Sequence, residues 1–168
     1  MTVLETARLK LRKLTLDDAP FILRLVNEPS WLEFIGDKGV RNLDDARKYL
    51  LEGPIGMYER HGFGLYMTEV KESGAQIGMC GLIKRDQLPD VDIGFALFPE
   101  FWGRGYAHEA AAAVLEHGRR TFDLKRIVAI TSLHNDPSIK VLEKIGMQFE
   151  RTLEFTPGDP VRLFGRNF

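Results

Sequence analysis

The sequence has one cysteine, Cys80, so no disulfide can form within the chain, which suits a reducing compartment. Its longest purely apolar run is Ala110–Leu115, far below the roughly 20 residues that a membrane-spanning helix takes. Met1–Glu5 has neither the basic nor the apolar region of a signal peptide, and the expectation is a cytoplasmic protein with no membrane partner. Charge of one sign is also missing: 23 Lys and Arg face 24 Asp and Glu, for a net charge of −1. No overall field draws the chain to nucleic acid, so no nucleic-acid partner is expected. Neither the P-loop Gly-Lys-Ser/Thr nor the dinucleotide Gly-x-Gly-x-x-Gly is present. His61, His108, His117 and His134 show no metal-ligand spacing, so no metal is expected.

What remains is an ordinary globular composition: 168 residues, 44% hydrophobic and 28% charged. That length reads as one domain, 1–168, large enough to bury a core without staples. Arg8–Leu14 alternates basic residues with Leu9 and Leu11 as a strand with one wet face. Asp17 is placed to cap a helix carrying Phe21, Ile22, Leu25 and Val26, and a loop with Trp31, Phe34 and Asp37 follows. A second helix runs from Asn42 or Leu43 to about Leu51. Strands are expected over Phe63–Val70, Ala75–Ile83 and Val91–Phe98. Ala107, Ala110, Ala111, Val114, Leu115, Gly118 and Phe122 then form one face of a long helix. Arg126–Thr131 reads as a buried strand and Pro137–Ile145 as a helix with Asp136 at its N-cap. Met147–Phe155 and Val161–Phe168 close the chain as strands. The crossover helix makes Val91–Phe98 and Arg126–Thr131 parallel neighbours. The expected fold is α+β, three-layered and α/β-like: a mixed, mostly antiparallel sheet of six to seven strands with a central parallel pair and about four helices.

Three segments carry chemistry. Phe101–Ala107 joins a strand to a helix N-terminus, where Gly103 and Gly105 allow close backbone approach and unpaired N–H groups suit a pyrophosphate. Arg104 adds a guanidinium that can bind phosphate, although a tight turn with no ligand reads equally well. On Val91–Phe98, Asp92 shares a face with Gly94 and Ala96. That face leaves room for a ligand along the strand, or is a solvent face on which Asp92 is merely exposed. Asn135 ends a buried strand ahead of a helix, where its amide can point into a cleft, and Ser138 lies in the first helical turn.

In this order, Asp92-Ile93-Gly94-Phe95, Pro99 to Ala110 and Asn135 to Met147 resemble the GNAT superfamily of acetyl-CoA-dependent N-acetyltransferases. The resemblance spans nearly the whole chain, from Ala7–Arg12 to the last strand. It is strongest to the branch containing the ribosomal-protein N-terminal acetyltransferases. It implies acetyl transfer from acetyl-CoA, the co-substrate, to a primary amine by direct attack in a ternary complex. The acceptor would be a peptide N-terminus or a small-molecule amine, and the enzyme a monomer or homodimer. It further implies that Trp102, Gly103, Arg104, Gly105, Tyr106 and Ala107 form the pyrophosphate loop. Phe95, Ala96 and Leu97 would pair with the pantetheine arm, Asn135 would hydrogen-bond it, and Lys140 would meet a CoA phosphate. Asp92 stands where many relatives carry a glutamate base.

The chain departs from the family in two places. Trp102 replaces the usual Gln or Arg, a habit of the same branch, and Leu142 replaces the tyrosine that protonates the leaving thiolate in many members. Ser138 is the substitute acid; its competing role is a hydroxyl bonded to its own helix backbone. The missing tyrosine motivates an alternative, a non-catalytic acetyl-CoA-binding sensor or interaction module. Trp31, Phe34 and Asp37 are the candidate acceptor-binding residues, the last suiting a cationic acceptor. Cys80, between Gly78 and Gly81 on a strand, reads as a buried inert thiol.

Overall fold

A computed structural model describes residues 1–168. The strands are β1 (Thr2–Glu5), β2 (Leu9–Lys13), β3 (Leu65–Val70), β4 (Gln76–Ile83), β5 (Asp92–Leu97), β6 (Arg126–Ser132), β7 (Gln148–Thr156) and β8 (Asp159–Asn167). The helices are α1 (Ala19–Leu25), α2 (Pro29–Phe34), α3 (Leu43–Leu50), α4 (Gly56–His61), α5 (Tyr106–Thr121) and α6 (Asp136–Lys144). All eight strands form one sheet in the order β1-β2-β3-β4-β5-β6-β8-β7. Every neighbouring pair is antiparallel except β5 and β6, the expected parallel pair.

The pleat sends successive side chains to opposite faces, and each face has its own core. Tyr66, Cys80, Leu9 and Leu11 pack with Ala110, Val114 and Leu115 of α5 and Leu142 of α6. Met67 and Met79, next in sequence to Tyr66 and Cys80, lie on the other face with Ile22, Leu25, Trp31 and Leu50 of α1, α2 and α3. The small residues of α5 bring it close to the sheet: a Cβ on Gly118 would stand 3.0 Å from the side chains of Ile127 and Leu82.

β5 and β6 barely touch. Their only register pair is Asp92 opposite Val128, where Val128 N–H donates to Val91 O at 3.0 Å. Beyond it β5 stays with β4 and β6 stays with β8, so the two strands part and leave a gap at their carboxyl ends.

The structure corrects the expected inventory in four ways. β1 is an eighth strand; its four residues are too short for a periodic signal. α2 occupies part of the expected Trp31–Asp37 loop, with Pro29 at its first position. α4 follows a kink at Gly53-Pro54, a dipeptide that reads as a stop. Two caps also differ. Thr15, not Asp17, opens the first helical segment through a capping box with Asp18, and Asn135, not Asp136, caps α6 by accepting from Ser138 N–H at 3.3 Å.

β4 is held closely on both sides. A Cβ on Gly81 would lie 2.0 Å from Gly64 O and 2.7 Å from Leu65 Cα, both backbone atoms that cannot swing away. Gly81→Ala is therefore expected to cost about 3 kcal/mol in a urea unfolding titration, at the upper end of overpacking effects. A loss under 0.5 kcal/mol would mean that β3 is free to move.

Candidate active site

A cleft of about 650 Å³ opens where β5 and β6 part. Its walls are the two diverging strands, the glycine loop with the start of α5, the first turns of α6, and α2 and α3 from the opposite face. Phe98 N–H donates to Ile77 O across the β4 side, so the alternating odd-numbered residues Phe95 and Leu97 turn their peptide groups toward the gap.

Asp92 stands at the inner end. It is 0% exposed yet lines the cleft, which removes the reading of a solvent-facing carboxylate. Its single side-chain partner is Arg85, whose Nε donates to Oδ1 at 3.1 Å and to Oδ2 at 3.3 Å. Burial pushes the Asp92 pKa up to about 6 against the opposing pull of Arg85. Lys84 steadies this corner, because its ammonium donates to Arg85 O at 2.8 Å and Leu88 O at 2.7 Å.

Of the expected acceptor-binding residues, Trp31 and Phe34 line the cleft and Asp37 does not. Asp37 is exposed, accepting from Arg41 and from Gly39 N–H, so its role is to shape the loop after α2. Tyr49 of α3, unforeseen, joins this wall, and desolvation raises its phenol to about 12.

At the other end, Gly103, Gly105, Tyr106 and Ala107 line the cleft. Gly103 and Gly105 have φ of 74° and 83°, a left-handed backbone that glycine adopts without strain. No side chain caps α5, so its first-turn N–H groups are open to a ligand. Behind the loop lies a buttress that sequence reasoning missed. Arg8 donates to Arg104 O at 2.9 Å, pairs with Glu109 at 2.8 Å and lies 4.4 Å from the centre of the Tyr106 ring. Glu109 also accepts from Arg8 N–H and from the Thr6 hydroxyl. Burial would raise the Glu109 carboxyl, but these donors outweigh it and hold its pKa down.

The remaining expected residues divide. Ser138, Asn135, Lys140 and the Phe95–Leu97 segment all line the cleft, and the Ser138 hydroxyl is not spent on its helix backbone. Trp102 lines it, 44% exposed as a residue, its indole N–H committed to Leu97 O at 2.9 Å. Arg104 is exposed and outside the wall, its guanidinium 5.6 Å from the centre of the Phe101 ring. Thr131 Oγ1 and Ser132 Oγ, on the open stretch of β6, are buried without partners, as is common where a ligand supplies the missing bond. Cys80 is fully buried and its thiol pKa is raised by desolvation, so it stays protonated and inert.

Residues 8–148 match the acetyltransferase (GNAT) domain family. The chain belongs to that family. This GNAT acyltransferase is 31% identical over 161 residues to the uncharacterized N-acetyltransferase p20 of Bacillus licheniformis, covering 91% of this chain and 86% of that one. It superposes on an acetyltransferase from Agrobacterium tumefaciens with a TM-score of 0.83, at 28% identity, over 100% of this chain and 95% of that one. The fold is also that of a ribosomal L7/L12 α-N-protein acetyltransferase solved with coenzyme A (TM-score 0.84, 20% identity, 99% and 98% covered). The family's cosubstrate is acetyl-CoA, and the N-terminal acetyltransferase branch is among the structural neighbours. Arg85 and Tyr49 escaped sequence reasoning because nothing around them differs from a surface turn and an ordinary helix. Arg8 sits in a stretch that matches the family, but only the fold brings it to Glu109.

The carboxyl of Asp92 is expected to titrate near pH 6 by carbon-detected NMR. In Arg85→Met the burial effect loses its largest opposition, so the midpoint moves higher. A midpoint near 4 in the wild type would show that water reaches Asp92 freely.

Proposed function

We propose that this protein transfers acetyl from acetyl-CoA to a primary amine by direct attack in a ternary complex. The observation that carries the reading is Asp92, a carboxyl enclosed in the wall of an apolar cleft with its pKa raised to about 6. It is mostly ionised at neutral pH and can still accept a proton there.

The residues present fit CoA. The open first turn of α5 with Gly103 and Gly105 suits a pyrophosphate, and Lys140 and Lys144 of α6 supply cations on the same cleft. The peptide groups of Phe95 and Leu97 that face the gap suit the amides of a pantetheine arm, and Asn135 is near enough in sequence to Thr131 and Ser132 to share that wall. Trp102, its N–H already engaged, contributes shape, and Arg104 contributes charge from outside the wall.

A thioester arrives activated, so the protein mainly aligns the amine and its carbonyl. As the N–C bond forms, the nitrogen becomes acidic and Asp92 takes its proton, directly or through water. A gap-facing N–H of Phe95 or Leu97 supports the developing oxyanion. The C–S bond then breaks and the thiolate takes a proton from water relayed through the hydroxyl that we assign, Ser138, which regains the proton it passes on; Leu142, at the position of the usual tyrosine, is buried hydrocarbon. The alternative reading, a binder without turnover, leaves a buried base with no task.

Asp92→Asn is expected to lower kcat about 10²- to 10⁴-fold while CoA affinity stays within about threefold. In the wild type, kcat/KM referred to the free-base fraction of the amine rises with pH to a plateau above about 6, because the ionised carboxylate is the active form. Unchanged turnover in Asp92→Asn would reject the base assignment. Arg8→Met releases the loop, and CoA affinity measured by calorimetry is expected to fall about tenfold, the order of one charged hydrogen bond. An unchanged affinity would show that Arg8 does not shape the CoA site.

A further inference from the structure

Arg85 does more than oppose the desolvation of Asp92. Its Nε is spent on both carboxylate oxygens, and its guanidinium carbon lies 5.3 Å from the centre of the Phe155 ring. Both Nη groups remain without a partner in the protein, although the residue lines the cleft and its side chain is 28% exposed. A guanidinium fixed at one edge and open at the other is a fork for a carboxylate.

The surrounding charge points the same way. Lys38 lines the same part of the cleft; desolvation and then repulsion by Arg85 lower its pKa, although the residue is exposed overall. The other charges nearby are accounted for. Glu28 lies 3.9 Å from Arg24, Asp159 is exposed at the β7–β8 turn, and Lys84, outside the wall, is held by two carbonyls. The largest aromatic surface of the cleft on this side is Trp31. That residue lines the cleft, is 5% exposed, and its Nε1 has no partner. Phe34 and Tyr49 line the same cleft, and Tyr49 packs against the core that holds Trp31.

We infer that the acceptor is an apolar α-amino acid, its carboxylate on the open Nη edge of Arg85, its amine at Asp92 and its side chain among Trp31, Phe34 and Tyr49. Asp92 and Arg85 are in direct contact, so two ligand groups that meet them must themselves be neighbours, as an amine and a carboxylate on one carbon are. Arg85 and Lys38 disfavour polyamines and other polycations, reversing the expectation drawn from Asp37. The inference rests on the acetyl-transfer reading and adds the class of acceptor to it.

The test is thiol release from acetyl-CoA with the full chain, comparing free apolar amino acids (phenylalanine, leucine, methionine, tryptophan) with phenylalanine amide, phenethylamine and a phenylalanyl dipeptide. Rates are corrected for the free-base fraction of each amine. The best amino acid is expected to exceed the amide and the amine at least about a hundredfold in kcat/KM, as a site built for a polar group rejects analogues that lack it. In Arg85→Met that preference collapses toward unity. Any change in Asp92 acts on all acceptors alike and cancels in the ratio, so the ratio separates recognition from a merely structural role. Equal or better rates with the amide, amine or dipeptide, or a preference unaltered in Arg85→Met, would overturn the inference. Acetyl-CoA binding by calorimetry with no release from any amino acid would overturn it and leave the acetyl-transfer reading intact, whereas no acetyl-CoA binding would remove both.

Discussion

β5 and β6 share one register pair and then separate, and the rest of the molecule is arranged around that separation. Parting two central strands forfeits backbone hydrogen bonds, so each must be secured elsewhere. β5 is paired with β4 from Asp92 to Leu97, and β6 with β8 from Arg126 to Ser132. α5, packed close against β4 and β5 by Ala110, Ala111 and Gly118, lies beneath them. What is left is a gap with gap-facing peptide groups on one strand, of which Leu97 O alone is taken, by the Trp102 indole, with buried hydroxyls of Thr131 and Ser132 on the other and an uncapped helix end at its mouth. Buried polar groups without partners are costly, so a fold that keeps several in one place is arranged for a ligand that completes them.

The loop at the mouth shows how such an arrangement is kept in place. Two glycines with left-handed backbone would leave a free segment mobile. Arg8 ties the carbonyl between them, Arg104 O, to Glu109 in the first turn of α5, so the loop and the helix that it opens are fixed to the residue just ahead of β2 as one unit. The partner residues are about 100 positions apart, and no local rule of sequence connects them.

That separation marks the boundary of what the sequence reveals. The strands and helices with full periods were legible: Leu9 and Leu11 on a strand, the Ala and Gly face of α5, Asp92 with Gly94 and Ala96. So were the residues whose chemistry is local, such as the glycines ahead of a helix and Asn135 and Ser138 at the start of α6. Short elements were not, because four residues of β1 or six of α4 hold too few repeats to show a period. Caps slipped by one or two residues because Thr15 and Asp17, or Asn135 and Asp136, are comparable cap formers and only the chain path selects between them. Arg85 and Tyr49 were invisible for the deeper reason that their roles exist only across the cleft.

Two buried aspartates show how differently the fold can treat a carboxylate. Asp18 is 6% exposed and Asp92 0%. Asp18 receives both Arg12 nitrogens, at 3.0 and 2.9 Å, and Thr15 N–H at 2.8 Å, and these outweigh its desolvation so that its pKa falls. Asp92 receives one nitrogen of one arginine, and desolvation prevails. The two therefore have opposite linkage to folding. The depressed Asp18 stabilises the fold above its unfolded pKa, and that stability is lost as pH falls. The raised Asp92 favours the fold at low pH, and this contribution is lost as pH rises from 3.8 through about 6. Above that range the ionised Asp92 opposes folding by on the order of 3 kcal/mol. A second hydrogen-bond donor at Asp92 would relieve that opposition and lower its pKa, and in doing so would remove the proton affinity that the proposed base needs. If Asp92 is the base we propose, stability is given up there for chemistry, while the Asp18 carboxylate is fully paired.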